Sequence, residues 1–245
     1  MHASSVNPYL SQKKLSSNLV IHIKDKQHHF LKNVLRIKIQ DTISLFDGIT
    51  GEWESRVLSI NRDNTLLQII KKNKDFEIDL DIWLIFAPIK SHRMSISIQK
   101  ATELGIARLI PCITQNTNQT KINMRNLSMN IIEAAEQSER LSIPVLDETT
   151  EINDLLDNFP SDRGLFFCNE INKDLPMMHA SLINNINQYE RWAILIGPEG
   201  GFTKEEENKI SALSSTIPVS LGKRILRSDT ATTAAIFLLQ SFLNN

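Results

Sequence analysis

The 245-residue chain has two cysteines, eight glycines and a net charge of only −1. Cys112 and Cys168 each sit in or beside an apolar strand-like run, with no CxxC partner and no histidine at ligand spacing. That pattern argues against a metal centre or a disulfide framework and predicts two reduced core residues. No apolar run approaches the length of a membrane span, and Met1 to Leu15 lacks the apolar core of a signal peptide, so a cytoplasmic protein is expected. Two nucleotide signatures are also missing. There is no GxxxxGKS/T of a P-loop, and no GxGxxG near an early strand with an acidic residue downstream. Internal repeats and low-complexity tracts are absent as well. What is left, with 41% hydrophobic and 22% charged residues, is an ordinary globular chain of one or two domains.

The few glycines are unevenly spent. Four of the eight, Gly197, Gly200, Gly201 and Gly222, follow two strand-like runs near the C-terminus. Glycine collects where backbone bends sharply or lies against a ligand, so these two strand ends predict a binding site. The low net charge conceals an asymmetry. Residues 1–75 carry 12 Lys+Arg against 7 Asp+Glu, whereas residues 76–245 carry 15 against 21. The first part, at +5, is the better candidate for touching phosphates; a merely solvated surface is the competing reading.

The rhythm of the chain also changes. From Asn18 to Ile70 short alternating runs (Leu19 to Ile23, Thr42 to Phe46, Trp53 to Ile60, Leu66 to Ile70) are separated by turn signals such as Asp47-Gly48, predicting a small antiparallel barrel. A short helix over His28 to Arg36 is expected to close it, and Lys71 to Glu77 reads as a linker. After residue 78 strands alternate with helices, predicting a mostly parallel sheet covered by helices. Thr203 and Glu206 form a capping-box signature, and Asp229 to Leu243 reads as a largely buried last helix.

In such a sheet ligands bind beyond the carboxyl ends of the strands. Three ends stand out: Asn169-Glu170, Gly197 to Gly201, and Gly222 to Arg227. With the phosphate signatures excluded, the pocket would hold its ligand through backbone groups and through Ile196, Leu221, Ile225 and Leu226. It suits an uncharged purine and a thioether better than a triphosphate.

Five motifs in order carry a specific resemblance: Lys90-Ser91-His92-Arg93-Met94, Gln99 to Gly105, Glu133 to Arg140, Gly197-Pro198-Glu199-Gly200-Gly201-Phe202, and Leu221-Gly222-Lys223-Arg224-Ile225-Leu226-Arg227. Together they resemble the ribosomal small-subunit methyltransferase E family of the SPOUT superfamily. His29 to Arg36, followed by Leu45-Phe46-Asp47-Gly48, resembles that family's N-terminal PUA-like barrel. The resemblance implies an α/β fold: a PUA-like β-barrel that binds RNA over 1–75, and over 76–245 a SPOUT-type α/β domain with a deep trefoil knot. It also implies a homodimer, and methylation of N3 of a uridine in 16S rRNA of the small ribosomal subunit using S-adenosylmethionine. The cofactor residues it implies are Ile196, Gly197, Pro198, Glu199, Gly200, Gly201, Leu221, Gly222, Ile225 and Leu226. A SPOUT enzyme acting on another base or a ribose, and a non-catalytic RNA-binding assembly factor, are the alternatives. The motifs over Gln99 to Gly105 and Glu133 to Arg140 favour the uracil branch, and intact loop glycines argue against a vestigial pocket. The chain departs from the usual pattern at Ser228-Asp229-Thr230-Ala231, where the family commonly reads Thr-Glu-Thr-Ala and helix capping is expected to survive. It departs again at Gln40, where a glycine is usual, and in its first residues, which offer only Pro8-Tyr9 and Lys13-Lys14.

For catalysis, uracil N3 must lose a proton, and the charge that develops on O2 and O4 needs a nearby cation or donor. Arg227 is the candidate for that role; alternatively it pairs with Glu199 or Asp229 to pin the loop. Glu199 is the weaker catalytic candidate, as proton acceptor. Lys13, Lys14, His29, Lys32, Arg36, Arg93 and Arg140 are the candidate RNA contacts. Glu133, Gln137 and Arg140 would share one helix face, either solvated or placed at a dimer interface or RNA groove. Lys100 and Glu103 are expected to form a surface ion pair.

Overall fold

The computed structural model describes residues 14–169 and 174–244, so Lys13, Pro8-Tyr9 and Glu170 lie outside the described residues. The chain forms two compact units. One runs to Ile78 and includes Ala135–Ile143; the other comprises Asp79–Ala134 and everything from Pro144 on.

The first unit is built on β1 (Val20–Lys24), α1 (Asp25–His29) running on as a π-helical turn (Phe30–Val34), β2 (Thr42–Phe46), β3 (Gly51–Ile60) and β4 (Asn64–Asp75). Its strands pair antiparallel in the order β1-β4-β3-β2. Alternation decides which face is inside: Ile21 and Ile23 of β1 point in, with their neighbours exposed. They join Leu31, Leu45, Trp53, Val57, Leu67 and Ile69 in one apolar cluster. The charged tract after Ile70 is strand rather than linker. β4 continues to Asp75 because Lys71 and Lys74 stand opposite Glu54 and Glu52 of β3, with ion pairs of 3.8 and 3.2 Å. The turn after β2 is organised by Asp47, whose buried carboxylate accepts from the backbone N–H groups of Leu15, Ile49 and Thr50 and from the Thr50 hydroxyl at 2.6–3.0 Å.

The second unit alternates strands and helices. In chain order come β5 (Ile82–Phe86), α2 (Ser91–Glu103), β6 (Arg108–Ile113), α3 (Met124–Gln137), β7 (Val145–Leu146), β8 (Thr150–Glu151) and α4 (Ile152–Asp157). Then follow β9 (Arg163–Cys168), α5 (Met178–Asn185), β10 (Arg191–Ile196), α6 (Lys204–Ala212), β11 (Thr216–Val219) and α7 (Ser228–Leu243). The strand order is β11-β9-β10-β5-β6-β7, with β8 pairing β6, and every pairing is parallel. β10 is central, and Trp192 to Ile196 are all buried, as expected of a strand covered on both faces. α7 lies against α2, α5 and β10. At the amino edge of the strands Arg163 is fully buried, pairing with Asp81 at 2.6 Å and stacking 3.7 Å over Trp83.

Two further local expectations are overturned. α3 ends at Gln137, and Glu139 takes the left-handed conformation (φ 57°), so Arg140 leaves the helix and does not continue the stripe of Glu133 and Gln137. At the start of α7 no side chain among the described residues caps the helix. Arg227 is its N-cap residue, and the Asp229 carboxylate accepts instead from the adjacent Thr230 N–H.

Candidate active site

The parallel register sets Cys168 of β9, Ile196 of β10 and Phe86 of β5 level at the carboxyl edge of the sheet. From that edge the segment after β10 and the segment after β11 enclose a cleft of ≈ 320 Å³. Each part of its wall has a local cause. Gly197 faces the ring of Phe202, and a Cβ added there would stand 2.5 Å from the ring edge, so the close approach requires glycine. Phe202 in turn packs edge-on against Phe167 at 5.2 Å, which ties the loop to the core under the sheet. Between these anchors Pro198 to Gly201 forms a turn closed by the Gly201 N–H on the Pro198 carbonyl at 3.0 Å. The chain then enters α6 through the predicted capping box: the Thr203 hydroxyl accepts from the Glu206 N–H, and the Glu206 carboxylate accepts from the Thr203 N–H.

Of the residues expected to hold a cofactor, Ile196, Gly197, Pro198, Glu199, Gly200, Gly201, Ile225 and Leu226 line this cleft. Leu221 and Gly222 do not. They line an adjoining hollow of ≈ 380 Å³ with Lys223, Arg224 and Leu226. Gly222 holds φ +140° with nothing among the described residues within 4 Å of an added Cβ, so its backbone conformation calls for glycine. The cleft also takes in Cys168, Asn169, Phe202, Ser228 and Ala231. Asn169 was visible as a strand end; Ser228 and Ala231 belong to the first turn of a helix that the sequence marks mainly as buried core. Cys168 is buried as expected, and so is Cys112, whose thiol is pushed up to about 12 by burial and by Glu151 and Glu206.

Arg227 lines the cleft, is exposed, and makes no ion pair among the described residues. The expected partner Glu199 meets Arg93 of α2 instead, at 3.8 Å, a separation at which an exposed pair contributes little. Arg227 is therefore available to a ligand, and Arg93 is drawn to the rim of the same cleft. The other candidate RNA contacts are scattered. Lys14, His29 and Arg36 are exposed, and Arg36 holds the left-handed conformation at φ 53°. The Lys32 ammonium donates to the Asn61 carbonyl at 2.9 Å, and the Arg140 guanidinium donates to the Ser142 hydroxyl at 2.8 Å. His28, beside His29, is buried between the Thr65 hydroxyl and the Arg62 carbonyl. Lys100 and Glu103 form the expected exposed pair at 2.7 Å. Among the described residues no cluster of three His, Cys, Asp or Glu side chains is arranged to hold a metal ion, and no helix is long and apolar enough to cross a membrane.

Comparison with known proteins agrees with this geometry. The family described as RNA methyltransferase domain matches residues 76–240, and the RNA methyltransferase PUA domain matches residues 23–70. The ribosomal RNA small subunit methyltransferase E of Rickettsia conorii is 33% identical over 91% of this chain and 90% of its own length. The crystal structure of a ribosomal RNA small subunit methyltransferase E from Neisseria gonorrhoeae bound to S-adenosyl methionine is 28% identical. It superposes with a TM-score of 0.82 over 96% of each chain. A putative methyltransferase from Legionella pneumophila, in complex with bound cofactor SAM, gives 25% identity and a TM-score of 0.84 over 97% of each chain. Matched along nearly its whole length, the chain belongs to the ribosomal RNA small subunit methyltransferase E family, with an RNA methyltransferase domain preceded by a PUA domain.

Proposed function

We propose that the protein transfers a methyl group from S-adenosylmethionine to N3 of a uridine in 16S rRNA of the small ribosomal subunit, and so works in the cytoplasm. The observation that carries this reading is the cleft over the carboxyl edge of β10, in a chain whose Neisseria relative, alike over 96% of its length, binds S-adenosyl methionine. The cleft suits that molecule. Its volume lies at the small end of the roughly 300–1,000 Å³ usual for such ligands. Ile196, Phe202, Leu226 and Ala231 offer apolar surface for a purine and a thioether, and the Gly197 to Gly201 backbone offers hydrogen bonds without a charged phosphate cradle.

When bound, S-adenosylmethionine supplies an electrophilic methyl group on a sulfonium. The protein's part is to hold a uracil ring in line with that methyl and to manage the proton on N3, and positioning of this kind provides much of the acceleration. Arg227, exposed at the cleft and in no ion pair among the described residues, stabilises the negative charge that spreads onto O2 and O4 as the proton leaves. Glu199, on the same rim with Arg93 3.8 Å away, is the weaker catalytic candidate, as the group that takes the proton.

Family membership supports the remaining features of this reading. The chain divides functionally at 1–75 and 76–245; the first part closes as a PUA-like barrel that grips RNA phosphates through Lys14, His29, Lys32 and Arg36. The second is threaded as a deep trefoil knot and pairs with a second copy. Mass spectrometry of 16S rRNA from a deletion strain tests the activity. Loss of a single 3-methyluridine, restored by the wild-type gene but not by an Arg227→Ala variant, is the expected outcome; an unaltered modification profile would overturn it.

A further inference from the structure

The turn after β6 is tied to the glycine loop after β10, although β5 separates the two strands in the sheet. It must therefore reach across two strand spacings, about 10 Å. Its own shape is fixed first. The Thr114 N–H donates to the Thr117 hydroxyl at 2.9 Å and the Thr117 N–H returns to the Thr114 carbonyl at 3.0 Å, closing Thr114 to Thr117 on itself. Two ties then cross to the loop. The Gln115 N–H donates to the Glu206 carboxylate at 2.8 Å, using the oxygen that the capping box leaves free. The Asn116 carboxamide donates to the carbonyls of Gly200 and Gly201, both at 3.1 Å.

The second tie spends both hydrogens of one NH₂ group on two consecutive peptides. A solvated turn residue has no cause to do so. Contact is close enough that a Cβ added at Gly200 would stand 3.1 Å from the Asn116 Cβ, so the glycine and the asparagine fit as a pair. In a planar trans peptide the C=O and the following N–H point opposite ways. Drawing the Gly200 and Gly201 carbonyls toward Asn116 therefore turns the N–H groups of Gly201 and Phe202 away from it. The first closes the turn on Pro198, while the second has no hydrogen-bond partner among the described residues, in a residue that lines the cleft.

We infer that Asn116 is a positioning residue: its carboxamide holds the glycine loop in the shape that binds the cofactor, presenting the Phe202 N–H to the cleft before any ligand arrives. This rests on the reading of the cleft as an S-adenosylmethionine site. A preformed loop spares the ligand the entropy of ordering it, so the effect belongs in affinity for the cofactor and not in the chemical step. Asn116→Asp keeps the size but replaces the donors by a carboxylate facing two carbonyl oxygens; Asn116→Ala removes the donors without adding repulsion.

Calorimetric titration of wild type and both variants with S-adenosylmethionine, with thermal unfolding of each without ligand, tests the inference. Asn116→Ala should weaken binding about tenfold, as expected for the loss of two neutral hydrogen bonds, and Asn116→Asp should weaken it more. Unfolding temperatures should stay near wild type. In steady-state assays the KM for the cofactor should rise with kcat and the KM for RNA little changed. Unchanged cofactor affinity in both variants, or a loss that merely tracks lower unfolding temperature, would overturn the inference while leaving the proposed activity intact. A wild-type protein that does not bind S-adenosylmethionine would overturn both.

Discussion

Gln40 shows how one residue can depart from a family pattern without the backbone following it. The family resemblance implies a glycine at this position, and the chain retains the conformation that glycine favours: Gln40 sits at φ +74° and donates its N–H to the Val57 carbonyl at 2.9 Å. A side chain in the left-handed region costs about 1–2 kcal/mol, partly offset by the smaller freedom that glutamine has in the unfolded chain. Gln40→Gly should therefore stabilise the protein by about 0.5–1 kcal/mol. Gln40→Ala, which keeps the Cβ, should bring no such gain. Urea unfolding of the three proteins decides the matter: a glycine variant no more stable than the alanine one would show that the strain is relieved elsewhere. Arg36, also left-handed and exposed, has no such replacement available if its guanidinium touches RNA; strain of this kind is tolerated where a side chain has work to do.

At the scale of the element, the β2–β3 hairpin turn depends on a single buried carboxylate. Burial works to raise the pKa of Asp47, yet the hydrogen bonds from Thr50, Leu15 and Ile49 win and hold it below the ordinary carboxylate value. A depressed folded-state pKa means that the stabilisation is complete above the unfolded value of about 3.9 and is lost as pH falls through the folded one. Asp47→Asn, which turns an NH₂ toward some of these donors, should cost about 2–3 kcal/mol at neutral pH. It should also flatten the loss of stability below about pH 4 in denaturant titrations; equal acid sensitivity in both proteins would count against the assignment. Elements governed by such local rules were legible in the sequence. β2 follows the predicted Thr42–Phe46, the capping box of α6 forms as read, and the segments after both strand ends reach one cleft, the second through Ile225 to Arg227 while Leu221 and Gly222 line the adjoining hollow. Elements governed by distant partners were not. Lys71–Asp75 reads as linker because its strand character comes from Glu52 and Glu54 across the hairpin. Arg140 looks helical until Glu139 breaks the period, and the Asn116 clamp joins residues 84 positions apart, beyond any periodicity.

At the scale of the whole molecule, the last helix poses a problem that one chain does not solve. α7 has a single charged residue, Asp229, in its first turn; apart from Gln240, whose carboxamide donates to the Leu104 carbonyl at 3.0 Å, the rest is apolar or small and neutral. A helix that is apolar nearly all round belongs in an interior. Here Ala231, Ala235, Ile236 and Leu239 are buried, but Phe237 is 61% exposed, as is Ile183 (60%) on the adjacent α5. A phenylalanine can remove about 150–250 Å² from water when covered, so leaving it on the surface forgoes a substantial stabilisation. The homodimer proposed for this family member gives that face a partner, and because α7 begins with Ser228 at the cleft, closure of the interface would steady the wall of the site. Sedimentation should show a dimer for the wild type, whereas Phe237→Glu, which would carry a carboxylate into an apolar contact, should sediment as a monomer with its helical circular dichroism retained. If the interface also steadies the cleft, the monomer should bind S-adenosylmethionine more weakly. A variant that stays dimeric would place the interface elsewhere, and a monomer with full cofactor affinity would separate assembly from the site.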